Sequence, residues 1–180
     1  SQLIQNQALP EGNYTICVRA LNYATPYAPR SADACSTFPI FYIDPPVATQ
    51  PFCGNNVTPS TPQNIIFSWT PPATAPGNIQ YDFTLKEVPN TLNPNDVIKN
   101  NAFPVLYNTT LTAQNVFVYT NAYPQLEEGK KYVWRVKCVD PFNSVQFKNS
   151  GFSEACWFTY KSNTPVPVFN PVPEVTQLNN

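Results

Sequence analysis

Asn64-Ile-Ile-Phe-Ser-Trp-Thr-Pro-Pro72 is an apolar run that ends at Trp69 and is stopped by two prolines. Prolines fix φ and donate no N–H to a ladder, so the run reads as a strand with a hard stop. Farther on, Leu126-Glu-Glu-Gly-Lys-Lys-Tyr132 is a turn leading into Tyr132-Val-Trp-Arg-Val-Lys-Cys-Val139. There, apolar residues recur at every second position, the mark of a strand with one inward face. The two stretches predict facing strands of one β-sandwich, with Trp69 as its central filler and Leu126 and Tyr132 in its core.

Other strands follow from the same alternation. Val47–Cys53 is a candidate first strand, Ile65–Trp69 the second and Tyr81–Glu87 the third, with further strands at Val105–Tyr107 and Val116–Tyr119. Asn93-Pro-Asn-Asp-Val-Ile-Lys99 predicts a short helix, capped by Asn93 with Pro94 at its first position. Asp140–Asn149 is the loop before the last strand.

The chain repeats itself. Leu9-Pro-Glu-Gly-Asn-Tyr14 matches Leu126…Tyr132 with one residue fewer, and both lead into an alternating strand. Ala34-Cys-Ser-Thr-Phe-Pro-Ile-Phe41 then answers Ala155-Cys-Trp-Phe-Thr-Tyr160. The second copy has a long run of strands ahead of its turn, and the first has only eight residues there. Residues 1–44 therefore read as the last strands of an incomplete sandwich, 45–161 as a complete one, and 162–180 as a Pro-rich extended tail. Asp44-Pro-Pro46 is a stiff joint between the first two.

Composition agrees with an all-β chain. Of 180 residues, 42% are apolar, 21 are Pro and 5 are Gly. Charged residues reach only 12%, about half the usual share, and the net charge is −1. No basic patch favours nucleic acid, and no apolar run has the length of a membrane-spanning helix. His and Met are both absent. Without Met the sequence reads as a processed product or a piece of something longer.

Five cysteines set a framework. Cys17 and Cys35 are eighteen residues apart, as are Cys138 and Cys156. In each copy the first lies on the strand after the tyrosine and the second on the last strand, which are hairpin neighbours. The expected bridges are Cys17–Cys35 and Cys138–Cys156, which imply an oxidising compartment. The alternative is five free buried thiols. Counted from the tyrosine, Cys17 sits three residues on and Cys138 six, so they face opposite sides of their strands. Cys53 is left over, to pair elsewhere or to displace a proposed partner.

Phe67-Ser-Trp-Thr-Pro-Pro72 resembles the second strand of a fibronectin type III domain. Leu126…Gly129…Tyr132 resembles that family's tyrosine corner, in which the phenol bonds back to the backbone. Ser153-Glu-Ala155 resembles the start of its last strand. The resemblance implies a fibronectin type III-like antiparallel β-sandwich, preceded by the C-terminal strands of a second, incomplete copy. In style the repeats resemble those of secreted and cell-surface proteins of the Bacteroidota, some associated with gliding motility and type IX secretion. The family's Arg-Gly-Asp is absent, so integrin binding is not implied.

Chemistry has little to build on. Lack of His removes Ser–His–Asp and Cys–His catalysis and His metal ligands. The acids, Asp82, Glu87, Asp140 and Glu154 among them, read as solvated strand and loop residues. No catalytic residue, metal site or cofactor is expected. Asn13-Tyr-Thr, Asn56-Val-Thr and Asn108-Thr-Thr match the N-glycosylation acceptor, a pattern that arises by chance in an Asn- and Thr-rich chain. Tyr23, Tyr27, Phe142 and Phe147, in the loops between the last two strands of each copy, are the candidate partner-binding residues. The competing reading packs them onto their own sandwich. The expected function is a non-catalytic spacer, adhesion or docking module of a larger secreted or cell-surface protein, outer-membrane associated or periplasmic if bacterial. Its partners would be protein, or upstream strands of the same chain. The alternative is a carbohydrate-binding module of a secreted enzyme.

Overall fold

In the computed structural model, residues 9–24 and 29–162 are described. Two strands come first, β1 (Gly12–Val18) and β2 (Ala34–Ile40), paired antiparallel as a two-stranded ribbon. Then follow β3 (Val47–Gln50), β4 (Asn56–Val57), β5 (Asn64–Thr70), β6 (Gln80–Val88), helix α1 (Pro94–Lys99), β7 (Tyr107–Thr112), β8 (Val116–Thr120), β9 (Lys131–Val139) and β10 (Cys156–Tyr160). They form a three-stranded sheet, β3-β5-β8, and a five-stranded sheet, β4-β10-β9-β6-β7. The two sheets are the layers of an all-β sandwich. Among the described residues, no helix is long and apolar enough to cross a membrane.

The core is aromatic. On β5, Ile65, Phe67 and Trp69 point inward, as alternation requires, and meet Tyr81, Phe83 and Leu85 of β6 and Tyr132, Trp134 and Val136 of β9. Phe67 is the hub. Its ring lies 4.9 Å from Phe83, 5.2 Å from Trp134 and 6.0 Å from Phe158, crossing from one sheet to the other. The expected hub, Trp69, is equally buried, but its ring partner is Tyr81 at 5.4 Å. Trp69 stands at the end of β5, beside the prolines that stop the strand. Phe67 stands at its middle, where the two layers are covered on all sides.

Helix α1 rests on the outer face of the five-stranded sheet. Asn93 caps it, its side chain accepting from the Asn95 N–H at 2.9 Å, and Pro94 takes the first position. Val97 and Ile98 pack on Val88 and Val133. This explains why β9 carries an apolar residue on its outward side. At the helix end, buried Lys86 donates from Nζ to the Val97 and Asn100 carbonyls, at 3.3 and 2.9 Å. A cation at a helix C-terminus is favourable. Burial first, then the charge of Arg135, lowers the Lys86 pKa.

Three elements differ from expectation. The first strand stops at Gln50, because Pro51 has no N–H to extend the ladder with β5. The strand expected at Val105–Tyr107 starts only at Tyr107, where the ladder with β6 begins at Leu85↔Tyr107 and runs on to Gln80↔Thr112. Strand β4 was not expected. It pairs parallel with β10, Thr159↔Asn56 and Tyr160↔Val57, so the sandwich is not wholly antiparallel.

The strap between ribbon and sandwich is bound down. The Ile43 N–H donates to the Gln146 carbonyl at 2.9 Å and the Lys148 N–H donates to the Ile43 carbonyl at 2.9 Å. Ile43 is buried, and Lys148 pairs with Asp44 at 2.9 Å.

Candidate functional site

The two copies meet the same way at their turns. Tyr14 lies opposite Phe38 on the ribbon, and Tyr132 lies opposite Phe158 on the sandwich. In each copy the phenol bonds to the backbone of the residue just after the leucine. The Tyr132 phenol oxygen accepts from the Glu127 N–H at 2.8 Å. The Tyr14 hydroxyl instead donates to the Pro10 carbonyl at 2.8 Å. A proline offers no N–H, and a phenol both donates and accepts, so the same corner is kept with the polarity reversed.

The cysteines obey register rather than spacing. Cys17 and Cys35 are direct cross-strand partners and form a disulfide. It lies on the face opposite Tyr14 and Phe38, beside the Thr15–Thr37 hydroxyl pair at 3.0 Å. The expected Cys138–Cys156 bridge is not formed. Cys156 faces Trp134, four residues before Cys138 on β9, which puts Cys138 roughly 13 Å along the ladder. Cys156 bonds Cys53 instead. The segment after Cys53 runs along the outer edge of β10, with the Gly54 N–H donating to the Trp157 carbonyl at 2.7 Å and the Thr159 N–H to the Asn55 carbonyl at 3.0 Å. Cys138 is a buried free thiol, and burial pushes its pKa up to about 12.

Four aromatic residues were candidates either for partner binding or for packing onto their own sandwich, and the structure separates them. Phe147 is half-buried, packs on the sandwich core and bridges Ile43. It is a wall residue of the joint. Phe142 is 75% exposed and Tyr23 is fully exposed. Among the described residues, no ring contact involves either. Tyr27 lies outside the described residues.

The loop carrying Phe142 is held by Asp140, which is buried. Its carboxylate accepts from the Ser144 hydroxyl at 2.6 Å and from the N–H groups of Phe142, Ser144 and Val145. The Ser144 hydroxyl and then the Phe142 N–H lower its pKa to about 2. So the loop is built, and Phe142 is presented outward from it. Beside it, a cleft of about 760 Å³ opens at the joint, lined by Leu9, Tyr42, Lys137, Asp140, Phe147 and Lys148. After the loop, Gly151 sits at φ 83°, where a Cβ would run into the Cys138 carbonyl oxygen.

No family model matches this chain, and a comparison with curated proteins finds no match.

One cluster was missed in the sequence. On the outer face of the five-stranded sheet, the Arg135 guanidinium lies 4.0 Å above the Phe152 ring, and the Lys137 ammonium lies 5.2 Å from it. The Arg135–x–Lys137 alternation on β9 was the available signal, since it places both cations on one face. Phe152 gave none, because it reaches them only through the turn that pairs it with Lys137. The acids are dispersed rather than paired. Asp82 accepts from the Thr110 hydroxyl at 2.7 Å and Glu87 pairs with Lys130 at 3.1 Å. Among the described residues, no three of His, Cys, Asp and Glu gather as a metal site.

Proposed function

We propose that this chain is a non-catalytic structural and docking module, of fibronectin type III-like build, from a larger secreted or cell-surface protein. The observation that carries the reading is the shared register of the two hairpins, Tyr14↔Phe38 and Tyr132↔Phe158, one on an open ribbon and one inside a finished sandwich. Tandem copies of one sandwich are the usual make-up of spacer and adhesion proteins. Two disulfides favour an oxidising location, outside the cytosol. The bound strap at Ile43 favours a spacer, because it limits how the two copies swing. The full-length reading frame tests this. It is expected to carry further copies of the Leu…Gly…Tyr turn and a secretion signal. A frame in which these strands complete a catalytic domain would overturn the reading.

One observation favours the second reading, a carbohydrate-binding accessory module. Phe142 projects from a loop that Asp140 holds in place, next to an open cleft. Aromatic rings presented this way stack on sugars or anchor a protein partner. Binding to a polysaccharide that Phe142→Ala abolishes would favour it. Binding to none across a broad glycan panel would remove it.

A further inference from the structure

Helix α1 covers only part of the outer face of the five-stranded sheet. Val88 and Val133 lie under it. Farther along, the outward residues of β7, β6 and β9 stand side by side in two rungs. One rung is Asn108, Thr84 and Arg135, and the other is Thr110, Asp82 and Lys137. All six line one shallow depression of about 400 Å³, with Phe152 at its side. Strand spacing makes this polar grid roughly 10 Å wide and 7 Å tall, a footprint of sugar size.

The cations of the grid lack a counter-charge. Among the described residues, neither Arg135 nor Lys137 takes part in an ion pair, and the Arg135 Nε is buried without a hydrogen-bond partner. Phe152 holds the guanidinium at 4.0 Å and the Lys137 ammonium at 5.2 Å. A ring face attracts both cations but does not neutralise them. Buried Lys86, the next outward residue on β6, adds its own charge to the field at Arg135. A half-buried charge without a partner is costly, and an anion bound here offsets that cost. A fixed guanidinium fork with an ammonium beside it is suited to a carboxylate. The one acid of the grid, Asp82, accepts from the Thr110 hydroxyl at 2.7 Å.

We propose that this face binds a glycan containing uronic acid. The sugar carboxylate sits on Arg135 and Lys137, and the ring hydroxyls meet Thr84, Asn108, Thr110 and Asp82. Two observations favour this ligand over other anions. Four of the six grid residues carry a hydroxyl, an amide or a carboxylate, the groups that exchange hydrogen bonds with sugar hydroxyls. Asp82 also repels a second anionic group placed close by. One carboxylate among hydroxyls therefore fits better than a densely sulfated chain or a run of acidic residues. None of the six lies in the 140–146 loop, so the site does not use Phe142. It goes beyond the docking-module reading and does not rest on it.

The probes are trigalacturonate and trimannuronate, each added to the isotope-labelled 180-residue chain. At least one is expected to shift the amides of Thr84, Arg135 and Lys137 and the Arg135 Nε–H signal. Arg135→Gln and Lys137→Gln are each expected to weaken binding at least about tenfold. Lys131→Gln removes a cation of the same strand that sits over Trp157, and it leaves binding unchanged, as does Phe142→Ala. Neutral galactotriose does not bind. Unperturbed β5 amides report that each variant is folded, and Lys137→Gln tests the site even where Arg135→Gln disturbs the sheet. No shift with either uronate at about 1 mM overturns the proposal. So does binding that survives both substitutions, or that Lys131→Gln or Phe142→Ala weakens equally. Galactotriose, tetraglutamate or dextran sulfate binding as tightly at the same residues also overturns it, since the uronate would not be what is recognised. None of these outcomes touches the module reading, which falls only to the reading frame described above.

Discussion

A disulfide joins Cys53 to Cys156 across 103 residues of sequence. It ties the segment leading into β4 to the last strand and so closes most of the sandwich into one covalent loop. Cross-linking so long a loop removes much of the unfolded chain's freedom, worth about 2–5 kcal/mol for a native bridge. The double substitution Cys53→Ala with Cys156→Ala is expected to cost that much in urea unfolding followed by tryptophan fluorescence. A loss under about 0.5 kcal/mol would show that the parallel β4–β10 pairing holds the edge unaided.

Cys138 is expected to be chemically silent in the native protein. Its thiol is buried and its pKa is raised to about 12, so almost no thiolate is present at neutral pH. Iodoacetamide is expected to leave the native chain unmodified. In denaturant without reductant, one residue is expected to react, and peptide mapping should place it at Cys138. Alkylation of Cys53 in place of Cys138 would restore the Cys138–Cys156 pairing that spacing suggested.

Tyr132→Phe and Tyr14→Phe remove the same atom from equivalent corners. The first strands the Glu127 N–H, which bonds the buried phenol, and is expected to cost about 1–3 kcal/mol. The second frees the Pro10 carbonyl to water, because that bond is exposed, and is expected to cost under about 0.5 kcal/mol. Equal losses in thermal or urea unfolding would contradict the picture of one finished core and one open ribbon.

Acid should act through the 140–146 loop. The Asp140 carboxylate is held at about 2 by the Ser144 hydroxyl and three N–H groups, below its unfolded value of about 3.9. A depressed carboxylate stabilises the fold fully above its unfolded pKa, and that contribution is lost as pH falls through the folded value. The melting temperatures of the native chain and Asp140→Asn are therefore expected to differ most above about pH 4 and to converge toward about pH 2. A gap that stayed constant over that range would assign the loop's order to other contacts.

Much of the fold was legible in short windows. Alternation placed Ile65, Phe67 and Trp69 inward, and the Leu…Gly…Tyr pattern located both corners. Asn93-Pro94 marked the helix start, because capping is a matter of adjacent residues. The candidate site was less legible. Tyr23 and Phe142 are exposed, whereas Phe147 is drawn into the joint by its bridge to Ile43, a residue about a hundred positions earlier.

What the sequence by itself determined were the features written in nearest neighbours and in period two: strands, stops, the helix cap and the kinship of the two hairpins. Only tertiary structure decided which cysteine meets Cys156, that Phe67 rather than Trp69 is the hub, and that Arg135 and Lys137 flank Phe152. The physical reason is register. A strand's inward face is set by its own alternation, but its partner at each rung depends on where loops end and ladders begin. Equal spacing, as in Cys17–Cys35 and Cys138–Cys156, therefore led to a bond in one copy and none in the other.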